Sequence, residues 1–556
     1  MPHRPDDAPP GLRELRLLDG PNLYFSRAAA KVVVDAAPLL ALEEAAFLHQ
    51  AAAWGEPGGR PGAARSEVRA RAVARLLEKV TRRLAAATGT TRLAVRTRNG
   101  PEAGEVTVVF PWRRRGRVRA LGIALAAVVA GRPLEAAVGD IISEDPGPGP
   151  TTPRPRIPVV AVTGTNGKTT TTRLIAHMSR CAGNVTGWSS TDGVFVDGTQ
   201  MQEGDWSGYG GAGCVLADPA VQLAVLETAR GGLLLRGAGA LWNDVSVVTN
   251  VGADHLGLQG VHTIDELAEV KAVVPRITRE TGWCVLNAQD PRVLAMRTSS
   301  RGRLWVFSLD PEAPGVRTAL GEHGRVMTVL DDQITLLAER GVVEPLVPLA
   351  DVPMTLCGLS RHDTANALAA TAAGLAVGLP LVAVLAGLRT FGAEQNPGRM
   401  NLWDVDGTVV ALDLAHNEES LAALLAVVAG LRLPGGRIVT VLGAAGDRLD
   451  AQIREMGHLA AHGSDEVVIA QKGGYLRGRP AGEMVGLLRE GAGQSIPAYD
   501  DEVSALSAAL SGRAPADVVA LMCHAQRAGC QDLLAAAGGR PMNAGQVRAR
   551  VTASRR

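Results

Sequence analysis

Short apolar runs, each followed by a polar turn and an amphipathic stretch, begin at Ile157–Val162 and recur at Leu223–Leu226 and Val245–Val248. Strands that are apolar throughout and alternate with helical segments predict a parallel α/β sheet covered on both faces. After a boundary near Glu394–Arg399 the alternation restarts, with strands expected at Thr408–Leu412, Arg437–Leu442, Glu466–Ala470 and Asp517–Met522. This predicts a Rossmann-like unit. Ahead of residue 157 the pattern differs. A helix is expected over Ser66–Ala86, then strands at Thr91–Thr97 and Glu105–Trp112 joined as a hairpin across Asn99-Gly100, then a helix over Val118–Ala130. A small α+β domain results.

The run Pro146-Gly-Pro-Gly-Pro-Thr-Thr-Pro-Arg-Pro155 can neither continue a helix nor pair as a central strand, and reads as a linker. The expected division is therefore 1–145, a linker at 146–156, a central domain at 157–395, a C-terminal domain at 396–541, and a basic tail at 542–556 that frays. The longest uncharged stretch, Ala365–Leu388, is Ala/Gly-rich and interrupted by Asn366, Thr371 and Pro380. It predicts two packed core helices joined near Gly378-Leu379-Pro380 rather than a membrane span.

Composition narrows the function classes. The 556 residues are 46% apolar and 20% charged, with 57 basic against 56 acidic side chains and a net charge of +1. That balance excludes a disordered chain and a general nucleic-acid binder. The first ten residues are polar and Pro-rich, without an apolar stretch of signal-peptide type. The six cysteines (181, 214, 284, 357, 523, 530) have no CxxC spacing, so neither a disulfide framework nor a zinc site is expected and a reducing cytoplasm fits. Residues 1–145 carry 22 Lys+Arg against 16 Asp+Glu, with Arg113, Arg114, Arg115, Arg117 and Arg119 concentrated together. The cluster reads as a solvated strand end; an anchor for an acidic partner or polymer is the alternative.

Positive charge is almost all arginine. Only five lysines occur, at 31, 79, 168, 271 and 472. One of them lies in Thr163-Gly-Thr-Asn-Gly-Lys-Thr-Thr170, between an apolar strand and a helical pattern that runs to about Cys181. Strand, glycine-rich turn and helix, in that order, form a phosphate cradle. Gly164 and Gly167 let backbone N–H groups approach an anion, Lys168 reaches the outer phosphates, and the Thr169 hydroxyl can ligate Mg²⁺. The loop is expected to bind ATP, although Val162 stands where the usual motif begins with glycine. An ordinary strand-to-helix turn is the bland alternative.

Glu227, Asp254 and His255 follow apolar strands at the end where α/β sheets expose ligands. Carboxylates with one imidazole suit Mg²⁺ or Mn²⁺ better than structural zinc. Lys271 follows Thr263-Ile-Asp-Glu266, a capping box that predicts a helix from Ile264. Ala268, Leu267 and Ile264 share its face, so the lysine points inward. Burial without a partner favours the neutral amine, which can capture CO₂. The alternative is a stem that covers the core while the ammonium reaches water.

The loop, together with Leu226-Glu-Thr-Ala-Arg-Gly-Gly-Leu-Leu-Leu-Arg236, Val248-Thr-Asn-Val-Gly-Ala-Asp-His-Leu-Gly257, Pro397-Gly-Arg399, Asp413-Leu-Ala-His-Asn417 and Gly443-Ala-Ala-Gly-Asp-Arg448, resembles the Mur ligase family. Within that family the likeness is to the ligase module of the cyanophycin synthetases, and Asp19-Gly-Pro-Asn-Leu-Tyr24 resembles their N-terminal domain. The resemblance implies an ATP-dependent acid–amino-acid ligase that makes an amide through an acyl phosphate and releases ADP and phosphate. It implies nucleotide contacts from Gly164, Thr165, Asn166, Gly167, Lys168, Thr169, Thr170, Asn366, Arg399 and Asp413. Catalytic roles fall on Lys168, Glu227, His255 and Lys271, and two Mg²⁺ ions on Thr169, Glu227, His255 and a carbamylated Lys271. His416, Asp447 and Arg448 are the implied substrate residues. The substrates would be a carboxylate-bearing small molecule or peptide and an amino acid, and a homo-oligomer is expected.

Three departures stand out. No room exists between Ala130 and Ile157 for the ATP-grasp module that cyanophycin synthetases also carry, so a separate ATP-grasp ligase is a candidate partner. Asp363 replaces an asparagine of the family pattern. Ala470-Gln-Lys-Gly-Gly-Tyr-Leu-Arg-Gly478 lacks an acidic run, and Lys472 is expected to remove negative charge beside the amine pocket, making a cationic amino acid less welcome. Competing readings are a catalytically limited ATP-binding partner or scaffold and a kinase that stops at phosphoryl transfer.

Overall fold

The computed structural model describes residues 9–56, 59–253, 256–338 and 341–555. Strands Leu12–Leu18, Ala29–Asp35, Glu105–Pro111 and Arg96–Asn99 form a four-stranded antiparallel sheet in that order. The expected hairpin across Asn99-Gly100 is present, but its first strand is confined to Arg96–Asn99. Helix Glu67–Ala87 starts at Ser66, whose hydroxyl accepts the Arg69 N–H. Val73, Leu77, Val80 and Leu84 of that helix, spaced three or four apart, pack with Leu125 of helix Arg115–Val129 in the core of this unit.

The central sheet has eleven strands, of which the middle seven are parallel. Antiparallel strands close both edges. Every residue of Val159–Thr163 and of Leu223–Glu227 is buried, as strands covered on both faces require. Helices Arg361–Ala376 and Leu381–Thr390 break at Gly378, whose φ of +96° suits glycine, and pack on helix Lys168–Cys181 with Met178 at the contact.

A third, seven-stranded sheet runs Ala498–Tyr499, Glu466–Ala470, Ile438–Leu442, Val518–Met522, Thr408–Asp413, Asn401–Val405, Arg540–Pro541. Its first five strands are parallel. The chain thus places a small α+β unit ahead of two α/β units, a phosphate-loop sheet and a Rossmann-like sheet. Residues 542–556 were expected to fray, yet Ala544–Ser554 is a helix capped by Asn543 and Gln546. Val547 and Val551, one turn apart, are buried in the C-terminal core, and Arg550 donates to the carbonyls of Leu431, Gly407 and Pro515.

The N-terminal unit meets the central sheet through Asp19–Asn22. The Asp19 carboxylate is fully buried and takes ion pairs from Arg236 at 2.6 Å and Arg115 at 3.4 Å. Gly20 N donates to Arg236 O, and Ala238 N to Pro21 O.

Candidate active site

Strand Val159–Thr163 lies between Leu223–Glu227 and Asn243–Val248, so the residues that follow all three carboxyl ends converge. Crowding explains both loop glycines. A Cβ on Gly164 (φ +154°) would sit 1.8 Å from Thr249 Oγ1, and one on Gly167 (φ +82°) 2.1 Å from Asn366 Oδ1. Gly167 caps helix Lys168–Cys181 in the left-handed conformation. Asn250 holds the turn from the neighbouring strand. Its side-chain oxygen accepts Thr165 N at 3.1 Å and Asn166 N at 2.8 Å, and Thr249 Oγ1 donates to Asn166 O at 2.6 Å. Lys168 is half-buried and curls back, Nζ donating to Thr165 O at 2.8 Å.

Beside the loop, the buried Glu227 carboxylate accepts from Thr169 Oγ1 at 3.0 Å, Thr191 Oγ1 at 2.9 Å and Thr191 N at 3.2 Å. Among the described residues no arginine or lysine comes within ion-pair distance of it. A buried carboxylate surrounded by hydroxyl oxygens is a hard-cation donor set, so the residues present fit Mg²⁺. Lys271, the last residue of helix Ile264–Lys271, is buried and donates from Nζ to Gly164 O at 2.6 Å. The capping box at Thr263 and Glu266 forms as expected. Asp254 and His255 lie outside the described residues.

A cleft of about 240 Å³ opens between the loop and the C-terminal sheet, lined by Thr170, Asn366, Arg399, Asp413, His416 and Glu419 among others. Asn366 donates from Nδ2 to Asp363 Oδ1 at 3.2 Å and accepts from Thr171 Oγ1 at 3.4 Å, which fixes its amide. Asp363, buried, pairs with His362 at 3.2 Å; burial opposes the imidazolium, but Asp363 outweighs it and His362 is pushed up to about 9. Burial also pushes the Asp413 carboxyl up, against the nearby His362 and Arg399 cations; Asp413 Oδ2 accepts Met400 N at 2.8 Å. The C-terminal domain touches the loop itself. Asn166 donates to Glu419 Oε2 at 2.8 Å and accepts from Asn417 Nδ2 at 3.1 Å.

The structure thus gathers Gly164 to Thr170, Glu227 and Lys271 at one sheet end and Asn366, Arg399, Asp413 and His416 around the adjoining cleft. Asp447 and Arg448 follow strand Ile438–Leu442 and are not among the residues lining that cleft; Asp447 is exposed and Arg448 buried, and Gln452 of the helix that follows them donates to Ala253 O at 3.2 Å. Lys472 requires a correction. It is buried, ion-paired with Glu502 and hydrogen-bonded to Met522 O at 2.6 Å. Its charge is cancelled internally instead of removing negative charge from a pocket surface. Sequence reasoning gave no role to Thr191, Asn250 or Glu419. Asn250 follows an expected strand, where strand-end position could have found it; Thr191 and Glu419 reach the site from segments with no local motif.

Residues 162–374 match the Mur ligase middle domain, and residues 398–524 the Mur ligase glutamate ligase domain. Cyanophycin synthetase from Synechocystis sp. is 38% identical over 64% of this chain and 41% of its own length. The chain therefore spans about two-fifths of the length of that curated relative. The UDP-N-acetylmuramoyl-L-alanyl-D-glutamate–2,6-diaminopimelate ligase of Geobacter metallireducens is 29% identical over 63% of this chain and 68% of its own. Among solved structures, E. coli FolC in complex with DHPP and ADP has a TM-score of 0.50 at 21% identity, covering 69% of this chain and 90% of that one. A pseudomurein peptide ligase type C from Methanothermus fervidus has the same TM-score at 17% identity, covering 69% and 79%. These two likenesses carry the fold. With two successive Mur ligase domains spanning more than half its length, the chain belongs to the Mur ligase family.

Proposed function

We propose that this protein is an ATP-dependent acid–amino-acid ligase. The observation that carries this reading is the convergence of the 164–170 loop, the buried Glu227 carboxylate and Lys271 under a cleft whose far wall is the C-terminal domain. A substrate carboxylate oxygen attacks the γ-phosphorus, breaking its bond to the ADP oxygen and giving an acyl phosphate. An amino-acid nitrogen then attacks the acyl carbon, phosphate leaves with the C–O electron pair, and the nitrogen loses a proton. Lys168 and the loop N–H groups hold the phosphates in line, so positioning and fixed charge supply most of the acceleration. Asn366, Arg399 and Asp413 hold the nucleoside side, and His416 faces the second substrate.

Thr169 and Glu227 would hold Mg²⁺, with His255 and a carbamylated Lys271 as the proposed further ligands of a two-ion site. When bound, the metal neutralises phosphate charge and orients the reacting oxygens. The acceptor is a carboxylate-bearing small molecule or peptide, and the setting is cytoplasmic. FolC in the solved complex holds ADP, and a related folylpolyglutamate synthase/dihydrofolate synthase holds Mn, AMPPNP and L-glutamate; the same kinds of ligand are proposed here.

The test is ADP release against a panel of amino acids and acidic peptides, with mass detection of product. A gain of one residue minus water supports ligation, a gain of phosphate alone supports a kinase, and Glu227→Gln should remove either. A second reading, an ATP-binding partner of a separate ATP-grasp ligase, draws on the short connection between Ala130 and Ile157, which leaves no room for the ATP-grasp module that the resembled synthetases carry there. Nucleotide binding without turnover on any substrate pair favours it.

A further inference from the structure

The N-terminal unit holds a cavity of about 420 Å³ between the turn Thr88–Leu93, which follows helix Glu67–Ala87, and the start of helix Arg115–Val129. Arg27, Arg92, Arg113, Arg114 and Arg117 line it, and no acidic residue does. None of the five meets a carboxylate of any described residue within ion-pair distance. Elsewhere in the unit six cations are matched by a carboxylate. Arg13, Lys31, Lys79, Arg82, Arg98 and Arg132 each contact Asp or Glu at 3.0 Å or less. The charge around the cavity is therefore a local surplus within a segment whose net excess is six by direct count (22 − 16).

Its placement makes the surplus costly. Arg114 is the N-cap of helix Arg115–Val129, with Arg115 and Arg117 in a first turn that holds no acidic residue; of the three only Arg115 meets a carboxylate, that of Asp19 at 3.4 Å. Cations are unfavourable at that end of a helix, where the dipole is positive. The first backbone N–H groups are already satisfied, Arg115 by Pro148 O and Gly116 by Pro146 O, so a ligand would be held by guanidinium groups rather than by the helix terminus. Beneath them the floor is rigid. Phe110 and Trp112 are buried, and the Trp112 indole N–H donates to Leu18 O at 3.1 Å.

We propose that this cavity binds a small polyanion carrying at least two oxyanion groups, phosphate or carboxylate. Several guanidinium forks around one cavity match bidentate oxyanions, and the volume lies within the ordinary range for small-ligand pockets. This is the sharper of the two readings of the Arg113–Arg119 cluster, with the occupant bounded in size by the cavity. It is independent of the ligase assignment, because no residue of the 164–170 loop or the adjoining cleft lines it.

The experiment is calorimetric titration of the full-length Lys168→Ala protein, in which the phosphate loop is weakened as a competing site, with inorganic pyrophosphate and separately with tri-glutamate at low ionic strength. At least one anion should bind saturably at one per chain. Arg92→Gln/Arg113→Gln/Arg114→Gln, all at exposed positions, should weaken it more than tenfold. A charge-matched control on the central domain, Arg301→Gln/Arg317→Gln/Arg389→Gln, should leave it unchanged. Binding of pyrophosphate alone identifies a phosphate ligand, and binding of tri-glutamate alone a carboxylate. Failure of both anions to saturate, equal binding by the cavity variant, or equal weakening by the control overturns the proposal.

Discussion

Lys271 Nζ donates to the Gly164 carbonyl oxygen at 2.6 Å, joining the end of a helix to the first glycine of the phosphate loop across 107 residues of sequence. On the proposed mechanism Lys271 is a ligating or stabilising group for the transferred phosphoryl. Lys271→Ala should lower turnover by about 10²–10³-fold, the usual cost of one electrostatic stabiliser. Rescue separates the chemistries. Acetate restoring part of the rate means that the site needs a carboxylate, as a carbamate would supply; ethylamine doing so means that it needs the ammonium. Full activity in Lys271→Ala removes the residue from the mechanism.

His362 and Asp363 give a pH-dependent term in stability. The His362 pKa rises from 6.5 unfolded to about 9 folded, so its contribution is complete below 6.5 and disappears as pH climbs through 9. Asp363→Asn removes the partner. The melting-temperature gap between wild type and Asp363→Asn should be widest near pH 6 and narrow steadily to pH 9.5. His362 is 39% exposed at its side chain, so solvent screening keeps the gap modest. A gap that stays constant across that range would show that the pair contributes nothing through charge.

Lys472 and Glu502 form a pair in which each side chain is 1% exposed. Burial pushes the lysine down. Burial also opposes Glu502 ionisation, but Lys472 and the N–H groups of His524 and Gln526 outweigh it and hold the carboxyl at about 2. Lys472→Met leaves that carboxylate buried with only its backbone donors and the Cys523 thiol, a loss of about 3–5 kcal/mol and roughly 10 °C in melting temperature. Adding Glu502→Gln should recover most of it. Because the folded Glu502 pKa lies below 4.5, its stabilisation is intact above 4.5 and is lost as pH falls toward 2. A thermal scan at pH 7, 4.5 and 3 on the three proteins reads both effects.

The sequence was most legible where chemistry is local. Glycine spacing, the Thr263–Glu266 box and the Gly378-Leu379-Pro380 break each act within a few residues, and each marks an element in the structure. Strands Leu12–Leu18 and Ala29–Asp35 are absent from the sequence-based expectation, because Leu-Arg-Glu-Leu-Arg-Leu-Leu has no clean period of two and is fixed by pairing with the strand that follows it. The terminal helix was hidden by its basic composition, although Val547 and Val551 already had helical spacing. Lys472 could not be read correctly, since its partner lies thirty residues away and only the fold makes them meet. Glu419 and Thr191 reach the loop the same way, from the start of another domain's helix and from a neighbouring strand end.

The last relationship concerns the seam of the N-terminal unit. Gly20 packs against the central domain so closely that a Cβ would lie 1.9 Å from the Ala238 carbonyl oxygen, a backbone atom that cannot rotate away. Next to it the buried Asp19 carboxylate binds Arg236 and Arg115, both about half exposed. Gly20→Ala must therefore separate the two backbones, breaking the Gly20–Arg236 and Ala238–Pro21 hydrogen bonds that flank the contact. Asp19→Ala leaves only exposed arginines behind, so it should cost less, about 1–3 kcal/mol. Limited proteolysis reports the difference directly, because the 146–155 linker leans on the start of helix Arg115–Val129 through Pro146 and Pro148. Cleavage there should accelerate strongly in Gly20→Ala and moderately in Asp19→Ala. Cleavage at the wild-type rate in Gly20→Ala would mean that the two units are held together elsewhere along their boundary, with the Arg98–Glu269 pair and the Arg276–Leu23 hydrogen bond as the next contacts to remove.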